Sequence, residues 1–240
     1  MRTKIGLVIV MLTILGGISE PRAVHAASSI ALDGIGKNTS CGETVELQNC
    51  AAQSLTTTKG NDIIILVVQC WSNCLLNVSS IVDKSGLTYV QRAYIPNVTF
   101  WEYYARTKSP LTSDNITVVF SESWTLKMIQ VFAIKGASRG IFDPDLSSPR
   151  YFSCPGSFDT FACSASIETT TQDFVVASTT INDDPACNVP SGFTTVGNAG
   201  GYFEVDYLIA SKEAGNVLFS CTATEPMSIV VDAISFYGPT

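Results

Sequence analysis

Thr56-Thr57-Thr58-Lys59-Gly60-Asn61-Asp62-Ile63-Ile64-Ile65 returns 113 residues later as Thr169-Thr170-Thr171-Gln172-Asp173-Phe174-Val175-Val176. Each copy is a threonine run, a short polar turn, an aspartate and then a run of β-branched and aromatic residues, the composition of a buried strand entered from a turn. The match continues in the same order. Ser85-Gly86-Leu87-Thr88-Tyr89-Val90 corresponds to Ser191-Gly192-Phe193-Thr194-Thr195-Val196, Trp101-Glu102 to Phe203-Glu204, and Val131-Phe132-Ala133-Ile134 up to Gly136 to Val231-Asp232-Ala233-Ile234 up to Gly238. The offset narrows from 113 through 106 to 102, as loop deletions in the second copy would produce. This is a degenerate duplication of a roughly five-stranded unit, with pseudo-repeats over 56–136 and 169–238.

Outward from those stretches the chain reads as β throughout, because apolar residues recur with period two or in short runs bounded by Gly, Pro, Asn and Ser. The best strands are 63–68, 99–107, 115–121, 127–135, 174–179, 202–211, 216–222 and 228–237. Ile116, Val118 and Phe120 share one face of a half-buried strand, whereas 128–134 and 229–234 are apolar on both faces and belong in sheet centres. The expected fold is all-β: one two-sheet β-sandwich, jelly-roll or Ig-like, over 56–240, preceded by an extended N-terminal tail over 27–55. Gly136 to Ser166 reads as a disulfide-stapled crossover.

The first 26 residues read as an export signal. Arg2 and Lys4 precede an apolar run from Ile5 to Ile18, and Val24-His25-Ala26 places small residues at the cleavage positions. The 14-residue run is shorter than the roughly 17 to 25 residues of a membrane span. No later stretch is apolar for long enough to cross, so the mature chain is expected outside the cell with no membrane span. Cleavage removes His25, the one histidine, and leaves 11 basic and 20 acidic side chains. A mature chain without imidazole cannot build a Ser/His/Asp or Cys/His relay or a histidine-ligated metal site. Its acidic balance, with no basic run, argues against nucleic acid as a partner. No catalytic residue, cofactor or metal is expected.

The eight cysteines, Cys41, Cys50, Cys70, Cys74, Cys154, Cys163, Cys187 and Cys221, read as disulfides in an exported protein. Cys41/Cys50 and Cys154/Cys163 share a separation of nine and suit local staples, Cys70/Cys74 can close a strand end, and Cys187 is left with Cys221. Asn38, Asn77, Asn97 and Asn115 head intact glycosylation triplets, all in the first half, and suggest a sugar-covered face.

Four further features are candidates for function. Glu102 and Glu204, flanked by aromatics at matched repeat positions, are the carboxylates a glycosidase pair would need, set against the plainer reading of solvent-facing strand residues. Asp143-Pro144-Asp145 and Asp183-Asp184-Pro185 offer oxygen ligands but lack the spacing of a calcium loop, and turns are the plainer use. Trp71, Trp101 and Trp124 make either a sugar-stacking platform or core. The tail places Ser28, Ser29, Ile30, Ala31, Leu32 and Ile35 in an alternating stretch ahead of a polar, Gly-containing region. It is either a first strand in its own sandwich or a strand donated to a neighbouring copy, which would join copies head to tail.

The motifs Ser85-Gly86-Leu87-Thr88, Trp101-Glu102-Tyr103-Tyr104-Ala105, Ser109-Pro110-Leu111, Asp114-Asn115-Ile116-Thr117-Val118, Val131-Phe132-Ala133-Ile134-Lys135-Gly136-Ala137 and Phe142-Asp143-Pro144 resemble those of secreted archaeal and bacterial β-sandwich surface proteins. In design the chain looks most like the subunits of archaeal thread and bundling-pilus filaments, which join by donor-strand complementation. The resemblance implies a donor strand within Ala27 to Gly36 and glycans on the four asparagines. The function expected is therefore a structural subunit of an extracellular, glycosylated filament or surface layer with a role in adhesion, its partner being neighbouring copies of itself. The alternative is a monomeric secreted carbohydrate-binding module or adhesin that meets surface glycans.

Overall fold

A computed structural model describes residues 29–236 except 38–39, 42–46, 51, 71–73, 75, 146–147, 156–160, 171, 182–186, 188, 200–201, 211–214 and 224–225. The first half contains β1 (Ala31–Ile35), β2 (Ser40–Cys41), β3 (Leu47–Asn49), β4 (Gln53–Leu55), β5 (Ile63–Cys70), β6 (Val78–Val82), β7 (Val90–Ile95), β8 (Phe100–Arg106), β9 (Asp114–Trp124) and β10 (Lys127–Lys135). The second half contains β11 (Ala137–Phe142), β12 (Arg150–Cys154), β13 (Phe161–Thr169), β14 (Asp173–Ile181), β15 (Thr194–Ala199), β16 (Phe203–Ile209), β17 (Gly215–Ala223) and β18 (Met227–Phe236). All the pairings are antiparallel.

The sheet topology of the two halves is alike. One sheet runs β1-β10-β5-β8-β7 with β2 also on β10, and another runs β11-β18-β14-β16-β15 with β12 also on β18. The register equates them residue by residue, since Ile134 faces Ile63 and Leu32 in the first as Ile234 faces Phe174 and Phe142 in the second. Even the irregularities coincide, with a bulge between Gln91 and Ala93 in β7 and one between Thr195 and Gly197 in β15. The repeat therefore begins at β1. The stretch expected to be a crossover carries β11, β12 and β13, which hold the places of the first half's N-terminal strands.

The chain is the all-β sandwich expected, with the strands of the described residues lying in four sheets rather than two. Each half is a sandwich of its own, because each inner sheet is apolar on both faces. Ile64, Leu66 and Val68 of β5 pack with Ile116, Val118 and Phe120 of β9, in an outer sheet made of β3, β4, β6 and β9. Ile63, Ile65 and Val67 point the other way, against Phe174, Val176, Val205, Val230 and Ile234 of the second inner sheet. That sheet's far face, Val175, Ala177, Ile229 and Val231, packs on β13 and β17 through Ala165, Ile167, Val217 and Phe219. The order through the molecule is outer sheet, inner sheet, inner sheet, outer sheet. Every residue of β5 is buried accordingly.

Disulfides join Cys70 to Cys74, Cys154 to Cys163 and Cys187 to Cys221. Cys50 is also disulfide-bonded. The Cys41 side chain lies outside the described residues, but its backbone pairs with Lys127 as that of Cys154 pairs with Met227.

Candidate functional site

The polar chemistry of the molecule is concentrated in pairs of carboxyl groups inside the fold. In the first half Asp33, on edge strand β1, is aimed at the threonine run ahead of β5. Its Oδ2 accepts the Thr58 and Lys59 N–H groups at 2.6 and 3.0 Å, and its Oδ1 accepts the Thr58 hydroxyl at 2.5 Å. Lys135 Nζ stands 3.5 Å from Asp33 Oδ1, and Asp62, 1 % exposed, sets its buried carboxyl beside that of Asp33 with no other hydrogen-bond partner for either oxygen among the described residues. Two carboxyls bond to each other only by sharing a proton, since an ionised one has no donor. Burial, together with Asp33 alongside, pushes Asp62 up to about 7. Burial also opposes ionisation of Asp33, but the hydrogen bonds from Thr58, Lys59 and Asp62 outweigh it and bring Asp33 down to about 2.

The second half repeats the device. Asp143, after β11, accepts the Thr170 N–H and hydroxyl, both at 2.8 Å, and the Asp145 N–H at 2.7 Å, with Asp173 as the carboxyl partner. These hydrogen bonds hold Asp143 below the usual carboxylate range despite its burial. The clamp thus ties the first strand of each unit to the threonine turn, which explains why threonine run and aspartate recur together. Sequence reasoning missed Asp33, although Leu32-Asp33-Gly34 beside Phe142-Asp143-Pro144 was the available signal.

A third pair lies between the halves. Arg92 occupies the β7 bulge and donates through Nε and Nη2 to Asp232 at 2.8 and 3.0 Å, and through Nη2 to the Ser148 carbonyl at 3.1 Å. Its guanidinium lies 4.0 Å over the Phe142 ring. The Ser148 hydroxyl donates to Asp232 Oδ1, which also accepts the Ala233 N–H at 2.9 Å. Glu102 is 1 % exposed beside them. Burial first and Asp232 second push Glu102 well above the ordinary carboxylate range, with Arg92 opposing.

Glu102 and Glu204 do not meet. The register places Glu102 opposite Val67 and Glu204 opposite Thr179, one step out of phase, so Glu102 is equivalent to Val205 and Trp101 to Glu204. Glu102 consequently points between the inner sheets, and Glu204 toward its own outer sheet, where it accepts Asn198 Nδ2 at 2.9 Å and the Thr195 hydroxyl at 3.3 Å. Its neighbour there is Asp206, which burial and Glu204 raise to about 7. The solvent-facing reading fails as well, since both glutamates are buried.

The remaining candidates are placed as follows. Trp101 is 3 % exposed, stacked on Tyr94 at 5.4 Å and edge-on to Phe120, and Trp124 packs on the same core, so neither stands on a surface platform. Trp71 lies outside the described residues, as do Asp183-Asp184-Pro185, Ser28 and Asn38. Among the described residues no cluster of acid, cysteine or histidine side chains could hold a metal ion. Asn77 and Asn115 are exposed beside and on the first outer sheet, and Asn97 sits in a 3₁₀ turn over Pro96–Val98. Ala31, Leu32 and Ile35 form part of β1, which pairs with β10 of its own chain, and Ile30 is buried between the inner sheets. No helix among the described residues is long and apolar enough to cross a membrane. No protein-family model, curated protein or solved structure matches this chain.

Proposed function

We propose that this chain is a non-catalytic structural subunit of an extracellular, glycosylated assembly, with a role in adhesion, in which copies are joined by exchange of β1. The observation that carries the reading is the use of the ionisable groups: the buried carboxyls described above are each spent on another carboxyl, a threonine turn or an arginine, holding strands and layers together. Disulfides suit an oxidising exterior. Strand exchange is supported by the position of β1, which is the first strand of its sheet, lies at its edge, and pairs with β10 alone among the described residues. A neighbour's β1 would make the same antiparallel contacts with β10, so exchange remakes what it opens, the Asp33 clamp and the packing of Ile30 between the inner sheets included, and brings no new interface chemistry.

Cysteines placed at the facing residues Ala31 and Lys135 test this. In negative-stain images the exported wild-type chain and the single Ala31→Cys variant should form filaments, while the Ala31→Cys/Lys135→Cys chain, bridged within itself, should give discrete particles. Discrete particles from the wild type, or filaments from the bridged chain, would overturn strand exchange.

A further inference from the structure

The two halves build the same clamp around a different side chain at one position. Asp33 and Asp143, at the end of the first strand of each unit, accept the N–H and hydroxyl of Thr58 and Thr170, with Asp62 and Asp173 as their carboxyl partners. The strand that faces those partners differs. In the second half Asp173 is paired with Ser235 of β18. In the first half Ile63 is paired with Ile134, so the next step along the ladder sets Asp62 against Lys135 of β10. Asp33 is the extra residue of the β1 bulge between Leu32 and Gly34, which re-aims its side chain toward the same lysine. Since the second clamp closes on serine, holding the threonine turn does not require the amine.

The surroundings of Asp33 suit a reaction at its carboxyl carbon. Lys135 Nζ lies 3.5 Å from Oδ1, while Oδ2 takes the Thr58 and Lys59 N–H groups at 2.6 and 3.0 Å. Two backbone donors on one oxygen stabilise the negative charge that it gains when a nucleophile adds to its carbon. The Asp33 side chain is 2 % exposed and Asp62 1 %, so water is excluded from the carboxyl groups while Lys135 reaches them from the surface. Burial keeps the Asp62 proton on to about 7. An acid that holds its proton beside the other two groups can give it to an oxygen and take one back from a nitrogen. Three neighbouring strands and one turn hold all these parts in place, which removes the entropic cost of assembling them.

We propose that Asp33 and Lys135 condense to an amide that joins β1 covalently to β10. The Nζ–Cγ bond forms and the Cγ–Oδ1 bond breaks. An ammonium and a carboxylate become an amide and one water: the nitrogen keeps one proton, and the two that it loses leave on Oδ1, relayed through Asp62, whose carboxyl is regenerated. Nothing is oxidised or reduced and no further reactant enters. Exclusion of water protects the product from hydrolysis. The same groups meet whichever copy supplies β1, so the bond does not rest on strand exchange. A strand seated at home closes a ring within one chain, and a donated strand makes the joint between copies covalent.

Tryptic peptides of the exported chain, reduced and denatured, test this by mass spectrometry. Trypsin does not cut after an acylated lysine, so the wild type should give one branched peptide, the segment ending at Lys37 joined to 128–139, lighter by one water than the two apart. Neither segment carries a glycosylation triplet. Lys135→Arg, which leaves both carboxyls free, should give separate peptides, and Asp62→Asn should give the branched one in much lower yield, with urea midpoints showing that both variants fold. On a reducing denaturing gel the wild type should then show either one band, which would overturn strand exchange and leave the bond standing, or a ladder, which bears out both. Separate peptides from the wild type would overturn the amide. So would water lost from the Asp33 peptide alone, as a succinimide at Asp33-Gly34 would give, or a wild-type yield of the branched peptide from Asp62→Asn.

Discussion

At the residue scale the molecule is organised by shared protons, and this fixes how its stability responds to pH. Folded Asp62 keeps its proton to about 7 against an ordinary value of 3.8, so between those values the folded chain binds more protons than the unfolded one and stability falls as pH rises. Asp33 runs the other way, its contribution being lost as pH falls from 3.8 toward about 2. The pair therefore favours the fold most near the ordinary carboxylate value, and Asp206 adds to the loss toward neutrality. Urea midpoints should be higher at about pH 4 than at about pH 8. Asp62→Asn, whose amide donates to Asp33 without titrating, should flatten part of that fall; a midpoint equally steep in the variant would contradict the shared proton. Between the halves, Arg92→Met strands the Asp232 carboxylate in the interior and should cost about 3–5 kcal/mol. Arg92→Met/Asp232→Asn should cost less than Arg92→Met alone, as a double-mutant cycle would show. Asp62 and Asp173 were legible as recurring punctuation of the internal repeat, yet their role was not, because a carboxyl pair depends on which strands lie side by side. Asp33-Gly34 and Asp143-Pro144 look like turn residues from local sequence.

At the element scale the sequence is a good guide, since period-two burial is a local property. All eight strands anticipated from apolar alternation form, Ile116, Val118 and Phe120 turn to one face, and β10 and β18 are buried on both. Register was harder to read. Matching Glu102 to Glu204 follows residue type, whereas the ladders on β5 and β14 equate Glu102 with Val205, and a slip of one residue reverses the face of every side chain. The first strand was legible as alternating but not as belonging to the repeat, because its counterpart lies in the stretch taken for a crossover. Its glycines have a steric reason: a Cβ at Gly34 would stand 2.2 Å from the Thr56 carbonyl oxygen, a backbone atom that cannot swing away. Gly34→Ala should push β1 off the threonine turn and destabilise the chain by about 1–3 kcal/mol, the usual range for overpacking. An unchanged urea midpoint would show that β1 does not approach so closely.

At the scale of the whole molecule, four layers share one interior. The five-strand repeats predict one sandwich of two sheets, but strands apolar on both faces need a further layer on each side, and that inference was available from β5, β10, β14 and β18 together. Phe132, Phe174, Val205 and Ile234 meet between the inner sheets, so neither half can be exposed without opening the other's core. The chain should unfold in a single transition with calorimetric and van't Hoff enthalpies equal, and Phe174→Ala should lower stability by about 3–5 kcal/mol without splitting it. Two resolved transitions would mean that the halves are independent. The Cys187–Cys221 bridge spans 34 residues that include β15, β16 and most of β17. When the chain is stretched from its ends, tension crosses that bond and bypasses those strands, so the 34 residues between the two cysteines add nothing to the extension even after the sheets part, and the bridge lowers the extensibility of anything built from this subunit.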